Sequence, residues 1–67
     1  MNRMDRLMGI MLEVQASGGR RVEDLARLFE TSKRTIYRDI EALCEMGVPL
    51  VAEAGRGYTL SQGYFLP

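Results

Sequence analysis

The 67-residue sequence predicts a small, mainly α-helical domain that ends in a two-stranded β-hairpin. Apolar residues recur at spacings of three and four up to about residue 46, which is typical of amphipathic helices. Beyond that point, two short β-prone runs flank a glycine-containing turn. A chain of this length buries only about 60% of the surface that it exposes when unfolded, so its core must be compact.

The first helix is predicted over about residues 3–16 and ends at Ser17-Gly18-Gly19, since glycine accepts the left-handed conformation that closes a helix. Its apolar face is broad, and we expect it to form core, although a methionine-rich face could also bind a partner. The residues of this face are Met4, Leu7, Met8, Ile10, Met11, Leu12 and Val14.

Two further helices follow, separated by the three-residue break Glu30-Thr31-Ser32. The second is predicted over about residues 23–29. Arg21 stands where Ser, Thr or Asp would normally cap it, so its start is expected to fray. The third is predicted over about residues 32–46, with Ser32 as its N-cap and Gly47 as the residue that stops it. Its expected buried line is Ile36, Ile40 and Leu43.

Residues 48–52 and 57–60 are the predicted strands, and the hairpin must pack on the helices to be stable because isolated short hairpins are marginal. Residues 1–60 are therefore predicted to form one domain. Residues 61–67 (SQGYFLP) return to apolar side chains, and we expect them to begin a connection to a further domain.

Helix, helix, short break, helix and hairpin is the order of a winged helix-turn-helix, a fold that places its third helix in the major groove of DNA. Net charge is zero, with nine basic and nine acidic residues, but the charges are locally polarised. Residues 33–38 carry three bases and no acid, whereas residues 39–53 carry four acids and no base. The basic first half of the third helix is therefore the predicted reading surface.

The residue types suggest a role for each candidate. Arginine pairs bidentately with guanine, which favours Arg34 and Arg38 as base readers. The other candidates suit phosphate oxygens, and Arg56 at the hairpin tip could reach the backbone or a minor groove. The full set of predicted DNA contacts is Ser32, Lys33, Arg34, Thr35, Tyr37, Arg38, Arg56 and Arg21, with Arg20 as a further phosphate candidate.

Each assignment has a structural alternative that the residues leave open. The arginines could be solvated surface, Arg38 could pair with Glu41, and Tyr37 could lie at the edge of the core. Thr35 could bond locally. Asp39 is expected to bond to a neighbouring element, because a carboxylate facing phosphates would be repelled. Cys44 is expected to be a small, partly buried packing residue.

Other classes of function are less well supported. A winged helix can also serve as a protein-interaction module, here for an acidic partner, and an RNA binder would need exposed aromatic residues for stacking. The chain has no histidine and one cysteine, so no ordinary zinc site can be assembled, and an enzyme, a cofactor and a metal are not expected. No apolar run approaches a membrane span, so we expect no membrane partner and a cytoplasmic location.

The stretch LARLFETSKRTIYRDIEAL, followed by GVPL and GRGYTL, closely resembles the N-terminal DeoR-like domain of WYL-domain transcription regulators. The opening MNRMDRLMGIMLEVQ and the closing GYFLP are similar to that family too. The resemblance implies a bacterial, homodimeric, sequence-specific regulator whose effector ligand binds a following C-terminal domain. It also implies DNA-contacting roles for Ser32, Lys33, Arg34, Thr35, Tyr37 and Arg38. The chain departs from the family at Glu30, where a glycine is common, and at Arg21.

Overall fold

The computed structural model describes residues 1–61. Three helices, α1 (Arg3–Ser17), α2 (Val22–Leu28) and α3 (Lys33–Glu45), are followed by strands β1 (Leu50–Glu53) and β2 (Gly57–Leu60). The strands pair in an antiparallel hairpin, the wing, with Leu50 opposite Leu60 and Glu53 opposite Gly57. The predicted winged helix-turn-helix is confirmed. The predicted connection over residues 61–67 lies, apart from Ser61, outside the described residues.

Several predicted boundaries were wrong by a residue or two. α1 extends to Ser17, α2 begins at Val22 and ends at Leu28, and α3 ends at Glu45. β1 begins at Leu50 rather than Val48, because the Val48 N–H donates to the carbonyl of Leu43 at 2.9 Å and helps to close α3. A residue used in this way cannot also open the hairpin ladder.

The helix starts are capped as local chemistry predicts, with one exception. Asn2 accepts from the N–H of Asp5 at 2.8 Å, and Ser32 accepts from the N–H of Thr35 at 3.1 Å. Arg21 gives α2 no side-chain cap. The wing holds this helix start instead, since Arg20 and Tyr58 exchange two backbone hydrogen bonds of 3.0 and 2.7 Å.

This contact between the wing and the α2 start depends on Gly57. Its φ of +83° is in the left-handed region, and a Cβ added there would clash with the carbonyl oxygen of Arg20. Any other residue at this position would push the wing away from the segment that leads into α2.

The same closing motif ends α2 and α3, with different residues in the left-handed position. After α3, Gly47 has φ +96°, and the N–H groups of Gly47 and Val48 donate back to the last turn. After α2, Glu30 has φ +51°, and Thr31 donates to the carbonyl of Ala26 at 2.9 Å. Glu30 thus adopts a left-handed conformation where glycine is common in the similar family, at a cost of about 1 kcal/mol relative to glycine.

All three helices and the wing contribute to one core, and Phe29, Tyr58 and Leu60 pack against it. The expected core face of α1 is too broad, because Met4, Met8 and Leu12 are about half exposed. α1 packs against the other elements along one side only, and Leu7 lies on that side. The buried apolar residues are Leu7, Ile10, Met11, Val14, Val22, Leu25, Ala26, Ile36, Ile40, Leu43, Val48 and Leu50.

Candidate nucleic-acid interface

The first two turns of α3 present a continuous polar surface. Ile36 and Ile40 turn into the core, Asp39 is buried as well, and the basic side chains and Tyr37 lie on the exposed side. Thr35 is half-buried, and its hydroxyl accepts a hydrogen bond from Ser32 at 3.1 Å, so the local bond considered for Thr35 is confirmed. The exposed candidates on α3 and at its cap are Ser32, Lys33, Arg34, Tyr37 and Arg38.

The basic side chains of the chain, all within the described residues, divide into two sets. Five form ion pairs: Arg3, Arg6, Arg20, Arg27 and Arg56. The other four form no ion pair or side-chain hydrogen bond among residues 1–61, and we call them the unpaired cations: Arg21, Lys33, Arg34 and Arg38. The alternative pairing of Arg38 with Glu41 is therefore wrong. Three of the unpaired cations lie within six residues at the start of α3, so a zero net charge conceals a local excess of positive charge.

Arg21 and Tyr37 meet at a groove between α3 and the wing. This groove, of about 290 Å³, is also lined by Ala52, Glu53 and Tyr58. Tyr37 is 52% exposed, so the alternative that placed it at the core edge is wrong. A hydroxyl and a guanidinium at one groove suit a phosphate, whereas the carboxylates of Glu23 and Glu53, which also line it, disfavour one.

The other predicted basic contacts are engaged within the fold. Arg56 donates from Nη2 to the carbonyl of Gly18 at 2.6 Å and from Nη1 to Glu53 at 3.3 Å, which ties the wing turn to the end of α1. Arg20 pairs with Glu13 at 2.8 Å. Both guanidinium groups therefore have partners that an incoming phosphate must compete with.

Asp39 confirms its expected structural role. It is 1% exposed and accepts two hydrogen bonds from Arg6, one from Nε and one from Nη2 at 3.1 Å. This hydrogen bonding raises the pKa of Arg6; burial opposes the shift, and the charge of the carboxylate adds to it. The pair joins α1 to the inner side of α3. Sequence reasoning did not identify Arg6 as the partner, because the pair is 33 residues apart in the chain.

The second half of α3 is acidic. Glu41 and Glu45 are exposed. Cys44 is exposed as well, so its expected partial burial is wrong; its Sγ lies 3.5 Å from the carbonyl oxygen of Leu50 at the helix surface. Within residues 1–61, no three His, Cys, Asp or Glu side chains are grouped as metal ligands would be. None of the described helices is long and apolar enough to span a membrane.

Comparison with known proteins agrees with this geometry. The sequence profile of the HTH (helix-turn-helix) domain matches residues 6–59. The chain is 38% identical over 55 residues to the HTH-type transcriptional regulator YobV of Bacillus subtilis (strain 168). This match covers 82% of the chain but only 18% of that relative, so the chain spans about a fifth of its length. No solved structure gives a significant match.

Proposed function

Because the chain belongs to the HTH domain family, we propose that it binds double-stranded DNA sequence-specifically, as the reading domain of a bacterial transcription regulator. α3 is the recognition helix in the major groove, and the wing lies on the backbone or in a minor groove. One observation carries this proposal: three of the four unpaired cations lie in the first two turns of α3 and keep their donors available.

The dimensions and chemistry of this surface suit a major groove. The groove is about 12 Å wide and admits one helix, whose first turns usually reach the base edges. Arg34 and Arg38 are four residues apart, so they lie on one face of α3, and each has a free planar fork that can pair with guanine O6 and N7. The acidic residues begin beyond them, where the helix leaves the groove.

Phosphates on either side of the bases fix the position of the domain. Lys33 and Tyr37 flank the base-reading face of α3. The free N–H groups beside Ser32 at the helix start favour an anion, with Thr35 and its hydroxyl close by. Arg21 lines the groove between Tyr37 and the wing, and we assign it to a phosphate there.

The wing contributes less than α3 in this proposal. Arg56 is held by the carbonyl of Gly18 and partly neutralised by Glu53, so it is less available to a phosphate than an unpaired cation. We therefore assign most of the electrostatic affinity to the unpaired cations. Two of them, Lys33 and Arg21, are assigned to phosphates, which corresponds to a slope of roughly −2 in log affinity against log salt concentration.

At the level of the whole regulator, we propose the organisation that the DeoR-like resemblance implies. Residues 1–60 form the reading domain, and residues 61–67 begin a linker to a WYL-type effector domain of a cytoplasmic homodimer. The relative supports this, because more than four-fifths of its length lies outside the matched region. The chain itself then acts as a binder and not as an enzyme.

Selection from random DNA duplexes, with the wild type and Arg34→Ala side by side, tests the DNA reading. We expect wild type to enrich one motif and Arg34→Ala to lose preference at one base position, by about 10-fold or more. Arg27→Ala is the matched control, since Arg27 is an exposed arginine of α2 that pairs with Asp24. Failure to enrich any sequence at low salt would contradict the proposal.

A further inference from the structure

The domain carries a further groove that the proposed DNA contacts do not use. It has a volume of about 680 Å³ and runs between α1 and α3. Its floor and walls include Met4 and Met46, which are 58% and 60% exposed, so the groove has an apolar surface open to a partner. The lining residues are Arg3, Met4, Leu7, Ala42, Glu45 and Met46.

The two charged residues of the groove lie towards opposite ends. The Nε of Arg3 is 3.7 Å from Asp39, while Glu45 is six residues further along α3, a rise of about 9 Å. Arg3 and Glu45 form no ion pair with each other among the described residues. The Arg3 side chain remains 62% exposed because Arg6 already pairs with the carboxylate of Asp39.

An apolar floor with one positive and one negative end is complementary to itself. In a two-fold symmetric pair, the same patch meets its own copy with the ends exchanged. A two-fold axis through the middle of the groove therefore places Arg3 of each copy over Glu45 of the other. It also brings Met4 and Met46 of one copy into contact with the methionines of the other. Methionine suits such a surface, because its flexible thioether adapts to an imperfect fit.

From this charge complementarity we infer that the α1–α3 groove binds a second copy of the same chain. The surface joins two reading domains directly, in addition to any contact made by other parts of a regulator. None of the unpaired cations lines this groove, although its Arg3 end reaches Asp39, the neighbour of Arg38. The interface is small, so this dimer is expected to dissociate in the micromolar-to-millimolar range.

Sedimentation equilibrium of the 67-residue chain over a concentration series is the first test. We expect the average mass to rise from 7.6 kDa towards twice that value as concentration increases. Met46→Asp should abolish the rise, whereas Leu28→Asp should not, since Leu28 is a similarly exposed apolar residue, at 55%, outside this groove. A chain that stays monomeric throughout, or equal effects of the two variants, would overturn the inference.

Charge reversal tests the symmetric pairing itself. Arg3→Glu and Glu45→Arg should each weaken the dimer by about 10-fold, because each places like charges together twice. The combined variant should return to within about 3-fold of wild type, and Arg27→Glu, the control, should change nothing. Circular dichroism verifies that each variant folds. If the single variants do not weaken the dimer, or if the combined variant dimerises no more tightly than they do, the symmetric pairing is wrong.

The DNA affinity of each variant for a single half-site separates this inference from the proposed function. Met46→Asp should bind a half-site as wild type does, because Met46 lies outside the proposed DNA contacts. Loss of the dimer with half-site binding intact supports the assignment of the groove. Failure of wild type to bind DNA while it still dimerises overturns the proposed function alone.

Discussion

The two sets of basic side chains differ in what surrounds them, and the contrast separates folding from binding. Arg6 is only 17% exposed and holds a buried carboxylate, and Arg56 is bonded to a carbonyl and a carboxylate across the wing turn. Lys33, Arg34 and Arg38 lie exposed with no such partners among residues 1–61. The amino-acid composition does not distinguish these two sets of basic residues. Their neighbours make the first set part of the fold and leave the second set available to an external anion.

Removing the carboxylate that Arg6 needs should have the largest effect. Asp39→Ala leaves a partly buried guanidinium without its partner, at a cost of about 3 kcal/mol or more in the free energy of unfolding. A domain of 67 residues is stable by only roughly 3–10 kcal/mol, so much of the variant should be unfolded on warming. Thermal and urea unfolding followed by circular dichroism measure this.

Asp24→Ala is the control for that measurement, because Asp24 forms an exposed pair with Arg27 at 3.6 Å. It should change stability by no more than about 0.5 kcal/mol. If both variants unfold alike, burial does not make the Arg6–Asp39 pair more stabilising than an exposed ion pair.

Substitution within the unpaired cations should show the opposite pattern. Arg38→Ala should lower affinity for the selected DNA by about 1–3 kcal/mol and leave the unfolding free energy within about 0.5 kcal/mol of wild type. Fluorescence anisotropy and urea unfolding measure the two quantities. A large loss of stability with unchanged affinity would place Arg38 in the folding set.

The left-handed turn between α2 and α3 offers a smaller effect of the opposite sign. Glu30→Gly should stabilise the fold by about 1 kcal/mol, because glycine adopts φ +51° without steric cost. It also removes a negative charge two residues before Ser32, so DNA affinity should rise slightly at low salt. Urea unfolding checks the first effect, and an unchanged or lower midpoint would contradict the strain argument.

The smallest expected effect compares Lys33 with Arg56 in the salt dependence of DNA binding. Lys33→Ala should reduce the slope of log affinity against log salt concentration by about 1, as loss of one phosphate contact does. Arg56→Ala should reduce it by less than half of that, since Arg56 already has partners in the fold. If the two variants change the slope equally, Arg56 contacts the DNA backbone as fully as Lys33 does.

Local chemistry made much of the fold readable in advance. The N-cap of α3 at Ser32 and the stop at Gly47 both depend on residues close in sequence, and the structure agrees with both predictions. The boundary of β1 was misjudged, because Val48 has β-branched character but donates its N–H to Leu43 instead. Each residue has one backbone N–H to donate, and the sequence pattern alone does not show which carbonyl accepts it.

By itself, the sequence determined the order of the elements and the basic start of α3, since both follow from periodicity, caps and charges within about one helix length. Only the tertiary structure decided which cations stay unpaired. Arg6 meets Asp39 across 33 residues, and Arg56 meets Gly18 across 38. Such contacts depend on how the helices and the wing pack. The same packing left Met4 and Met46 exposed, because one core cannot cover every apolar face of so short a chain.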